Sequence, residues 1–89
     1  MKKELAKTIA NFVKQYGAIV KESDENPNMW YELFRIHPDE GTQTIYSADT
    51  FEEILIGMEL SMVGYNDCSF NVDIWKRDSE NEIGEQIIL

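Results

Sequence analysis

The stretch Cys68-Ser69-Phe70-Asn71-Val72-Asp73-Ile74-Trp75 alternates apolar and polar side chains along its whole length. Successive side chains of a strand point to opposite faces, so this pattern predicts a strand that buries Cys68, Phe70, Val72 and Ile74 and turns Ser69, Asn71, Asp73 and Trp75 outward. A strand with one buried face belongs to an antiparallel sheet covered on one side and open on the other.

Immediately before it, Thr50 and Glu53 have the spacing of a capping box, in which a hydroxyl and a carboxylate satisfy free amides at a helix start. Phe51, Ile54, Leu55, Met58 and Met62 then recur at helical spacing as a core stripe, and Gly64 closes the helix. At about 100° per residue, Ile56, Leu60 and Val63 fall on the opposite side. This helix is therefore apolar twice over, and its second stripe needs a cover. Either Ala6, Ala10 and Val13 of the first helix supply it, or a second copy of the chain does, which makes Ile56, Leu60 and Val63 the candidate interface of a symmetric homodimer.

Further upstream, Met29 to His37 and Thr42 to Ser47 are rich in branched and aromatic residues, and Pro38-Asp39-Glu40-Gly41 separates them, which predicts a hairpin. From Lys2 to Tyr16 the residues Leu5, Ile9, Phe12 and Tyr16 form an apolar stripe, with Gly17 placed to end a helix. Ala18 to Glu22 reads as a short strand, Ser23 to Asn28 as a turn, Arg77 to Glu82 as a charged loop and Ile83 to Leu89 as a last strand. The expected fold is thus a single α+β domain over residues 1–89, in the order αβββαββ. Its antiparallel sheet has about four to five strands, and two helices lie on one face.

Charge is unevenly spread in this chain of net charge −9. Residues 1–21 carry five lysines against Glu4, a net of +4, and the remaining sixteen acids face only Arg35, Lys76 and Arg77, a net of −13. Affinity for phosphate comes from Lys and Arg, so direct nucleic-acid binding is not expected. A basic partner surface is electrostatically allowed, and net charge also serves solubility alone. No run of residues approaches the ~20 apolar positions of a membrane helix. The single Cys68 forms no internal disulfide and the start of the chain has no apolar signal segment, so a reducing cytoplasm is expected.

Motifs for chemistry are sparse. Asp24, Asn26 and Asn28 match the first ligand positions of a calcium loop, but Met29 stands where that loop needs glycine and Arg35 where it needs glutamate. His37 and Cys68 are the only imidazole and thiol, too few for a structural zinc site, and no third group is recognisable to complete a nucleophile and base. The five glycines stand singly, so there is no phosphate-cradling loop. No cofactor, metal or catalytic residue is expected.

What remains are surfaces. Tyr46, Trp75 and Asp73 are expected on the open sheet face, with either Trp30 or Tyr31, and Glu52 and Glu53 at the start of the second helix add negative charge. Together they are the candidate partner-binding residues of a non-enzymatic acidic module, an inhibitor or nucleic-acid-mimicking decoy for a basic partner. The alternatives are a homodimeric structural or accessory protein and a small enzyme with an unrecognised site.

Overall fold

A computed structural model describes residues 3–22, 29–65, 68–76 and 82–89. They form helix α1 (Lys3–Glu22), strands β1 (Met29–His37) and β2 (Gly41–Ala48), helix α2 (Phe51–Ser61) with a 3-10 turn at Met62–Gly64, and strands β3 (Ser69–Lys76) and β4 (Glu82–Ile88). The strands make one antiparallel sheet in the order β2-β1-β3-β4. The architecture is α+β, as the sequence predicts, with one strand fewer than its order αβββαββ. Residues 24, 26 and 28 of the calcium-loop pattern lie outside the described residues.

The missing strand is Ala18–Glu22, which continues α1. Ile19 extends the stripe of Leu5, Ile9, Phe12 and Tyr16 by one more turn and packs on the core. Burying it offsets the ~1 kcal/mol that glycine costs within a helix. Gly17 therefore stays inside the helix instead of ending it, and among the described glycines only Gly41, at φ 80°, takes a left-handed conformation. That glycine closes the β1–β2 hairpin, where His37 Nδ1 accepts hydrogen bonds from the amides of Asp39 (3.0 Å) and Glu40 (3.1 Å).

α2 starts as expected. Thr50 Oγ1 accepts from the Glu53 amide at 3.1 Å and donates to the Glu53 carboxylate at 3.1 Å, so the carboxylate binds the hydroxyl where a full capping box would have it reach back to the backbone. Ile54, Met58 and Met62 are buried, and α2 lies over β1 and β2. α1 packs beside it through a stack in which the rings of Tyr16 and Phe51 lie 4.0 Å apart, with Phe12 against Phe51. Leu33, Val72, Ile74 and Ile87 complete the core from the sheet, each fully buried side chain stabilising by about 1.5–3 kcal/mol. Beneath the aromatic stack, Tyr16 Oη and Tyr31 Oη share a hydrogen bond of 2.9 Å. Burial, and then that bond, push the Tyr31 phenol above its ordinary range.

Candidate functional site

Both helices pack on one side of the sheet, so among the described residues the other side is uncovered. β1 and β3 run through the middle of that open face, and their register sets Trp30 against Trp75, Glu32 against Asp73, Phe34 against Asn71 and Ile36 against Ser69. The two indoles stack with ring centroids 5.3 Å apart and planes at 11°. On the β4 side, Asp73 pairs with Gln86 and Asn71 with Ile88. The ordinary open face of an antiparallel sheet is polar. Here it carries Trp30, Phe34, Ile36, Trp75 and Ile88, with Ile88 73% exposed.

At the centre of this face lies a carboxylate that is not at the surface. Asp73 is only 6% exposed, as is Asn71, because taller side chains from three strands surround them. Asp73 Oδ1 accepts from Asn71 Nδ2 at 3.1 Å and from Gln86 Nε2 at 2.7 Å. No cation neutralises it among the described residues. The ion pair found there, Arg35 to Glu40 at 2.9 Å, is on the helix side of the sheet, where it raises the Arg35 pKa and lowers that of Glu40 through their hydrogen bond. On the same face, the Trp75 Nε1 donor is buried and has no hydrogen-bond partner among the described residues. Phe34, Ile36 and Ile88 rise around Asn71, Asp73 and Gln86 to form a shallow depression of about 280 Å³.

The structure separates the residues grouped as partner-binding from sequence. Trp75 is on the open face. Tyr46 is not: a β-bulge between Leu33 and Phe34 leaves Leu33 opposite Tyr46 and Phe34 opposite Thr44, so Thr44 and Tyr46 point to opposite faces despite their two-residue spacing. The Tyr46 ring packs against Gly57 of α2 instead. Asp73 has the outward register expected of it, yet it is buried and forms the floor of the face. Glu52 and Glu53 are exposed at the start of α2, on the helix layer, so the five residues do not share one surface. Trp30 takes the open face and Tyr31 is buried in the core. Phe34, Ile36 and Ile88 were missed from sequence. The alternation of Phe34 and Ile36 with Leu33 and Arg35 was available, but which set faced the helices was not.

Ile56, Leu60 and Val63 are 52%, 70% and 54% exposed, so α1 does not cover the second stripe of α2. Ala10 is exposed and Val13 is 40% exposed, and they face solvent as well. Carboxylates border the stripe: at about 100° per residue Glu52 and Glu59 fall on one flank and Glu53 on the other, and all three are exposed.

Cys68 is half-buried and receives a hydrogen bond from Arg35 Nη1 at 3.7 Å, while the guanidinium lies over the Tyr65 ring at 5.1 Å. An open depression of about 550 Å³, lined by Cys68, Tyr65, Met62, Leu5 and Glu4, adjoins it. The His37 lone pair that could act as a base is already used by the two turn amides. Among the described residues no three His, Cys, Asp or Glu side chains come together to hold a metal ion, and no helix is long and apolar enough to cross a membrane. No family model matches the chain, and neither a curated protein nor a solved structure is significantly similar to it.

Proposed function

We propose that the chain is a non-enzymatic, acidic protein-binding module that docks on a basic protein through the open face of its sheet. One observation carries this reading: the uncovered face holds a stacked tryptophan pair and three further large apolar side chains around two carboxylates, Glu32 and Asp73, with no described cation among them. Aromatic anchors that exclude water give binding energy, and a negative centre selects a positive partner and speeds its approach. An inhibitor or decoy that occupies a nucleic-acid site on its target is the sharper form of this proposal, since a partner surface built for phosphates is basic. The same lack of Lys and Arg on the face argues against direct nucleic-acid binding. Free Cys68 is in keeping with a reducing cytoplasm.

The test is capture of partners from nuclease-treated lysate, eluted over a salt series, with the native chain and two variants. Ile88→Lys places a cation on the open face at an exposed position, and Leu60→Lys places one on the outer face of α2. The proposal expects a basic protein that salt releases, that Ile88→Lys loses and that Leu60→Lys retains.

A second reading, a homodimer across Ile56, Leu60 and Val63, is favoured by the exposure of that stripe. A two-fold interface there would face Glu52, Glu53 and Glu59 with the same residues of the second copy. Like charges so placed oppose association, and we therefore rank it behind the first.

A further inference from the structure

We infer that the depression around Asp73 is the receptor for one arginine side chain of the partner protein. This inference rests on the open sheet face being the docking surface and names the group that anchors there. Its size is the first argument: about 280 Å³ falls just below the roughly 300–1,000 Å³ of sites that enclose whole small molecules, and suits one long side chain.

The chemistry of the floor is the second argument. A carboxylate takes only donors, so Asn71 and Gln86 must turn their amide nitrogens toward Asp73 Oδ1. That leaves the carbonyl oxygens of both amides free to accept. Among the described residues nothing donates to Asp73 Oδ2, and this oxygen is not sealed from the depression. Glu32, the cross-strand neighbour of Asp73, stands outside the depression, where its Oε2 accepts from Thr44 Oγ1 at 3.3 Å, and adds negative charge to the same face. The site therefore presents acceptors and negative charge, and a matching ligand must be a cation rich in donors. Asp73 itself is 6% exposed and has no counter-charge among the described residues, which leaves the place of a cation open.

The walls decide between the two cationic side chains. Phe34, Ile36 and Ile88 cannot replace the water around an ammonium group. A guanidinium is flat, more weakly hydrated and carries five donors in a fixed fork, so it keeps its hydrogen bonds on the acceptor floor while its faces and aliphatic stem meet apolar walls. Arginine fits both parts of the site. Lysine fits only the floor.

The test is NMR titration of the isotope-labelled chain with a capped glycine-arginine-glycine peptide at millimolar concentration, following the side-chain amides of Asn71 and Gln86 and the indole of Trp75. Saturable shifts of these signals are expected, with the equivalent lysine peptide binding roughly fivefold or more weakly, because its ammonium is the more strongly hydrated group. Asp73→Asn, which removes the charge at nearly constant shape, should abolish the response. Should that variant fail to fold, Ile88→Lys, at an exposed position, should abolish it too. No response, equal responses to both peptides, or shifts centred on Glu52 and Glu53 would overturn the inference. Tighter binding of free arginine than of the capped peptide would also overturn it, by assigning the site to a small molecule. If Ile88→Lys eliminates partner capture while the arginine peptide is silent, the docking face stands and the arginine assignment alone falls.

Discussion

The ring of Tyr46 in β2 fills the space over Gly57 in α2 so closely that a β-carbon at position 57 would overlap it. Gly57 is thus a packing requirement between helix and sheet, and its place in mid-helix is otherwise unfavourable by about 1 kcal/mol. Gly57→Ala should destabilise the chain by about 1–3 kcal/mol through overpacking. In a Tyr46→Ala background the same substitution should become neutral or stabilising, because only the helix-propensity gain remains. Denaturant unfolding of the four proteins of this double-mutant cycle gives both signs.

At the other end of the same helix, Thr50→Ala removes the acceptor of the Glu53 amide. The expected loss is about 1 kcal/mol, within the usual range for a deleted N-cap. Thr50→Ser should retain most of the stability, since the hydroxyl does the capping.

Burial of the Tyr31 phenol, and then its bond to Tyr16, makes stability depend on alkaline pH. The Tyr31 phenol has a higher pKa folded than unfolded, so its contribution is complete below the ordinary value of 10.0 and is lost as pH rises above it. Tyr31→Phe deletes the titrating group and should cost about 0.5–1.5 kcal/mol near neutral pH for the lost bond. Above pH 10 the gap between the native chain and the variant should narrow. Parallel unfolding curves at pH 7, 9 and 11 test this, and a constant gap would show that Tyr31 carries no linkage.

On the outer face of α2, Leu60 is 70% exposed and touches none of the core described above. Leu60→Lys should change stability by no more than about 0.5 kcal/mol. Light scattering at high concentration should give the mass of one chain for both proteins. A dimer that Leu60→Lys dissolves would instead favour association across Ile56, Leu60 and Val63.

The α2 cap and stripe were readable because both depend on residues three or four positions apart. The strand at Phe70–Ile74 was readable because its alternation is local. α1 was read too short, since Gly17 is a common helix terminator and only tertiary burial of Ile19 outweighs it. Tyr46 was placed on the wrong face because a bulge adds one residue to a strand without a mark in composition: Thr44, Ile45, Tyr46 and Ser47 alternate equally well without it. The candidate site was the least legible part. Trp30 and Trp75 are 45 positions apart in the chain, and their stacking depends on the β1–β3 register. The burial of Asp73 arises from neighbours on three strands, which no spacing within β3 reveals.

Trp30 and Trp75 are the only tryptophans of the chain, and both lie on the open sheet face. Fluorine NMR of the 5-fluorotryptophan-labelled chain therefore reports on that face with two signals and no background from an unlabelled partner. Addition of the captured basic protein should shift or broaden both resonances in proportion to complex formed, and salt that dissociates the complex should restore them. A complex that forms while both signals stay unchanged would contradict docking through the sheet and return the search to the outer face of α2.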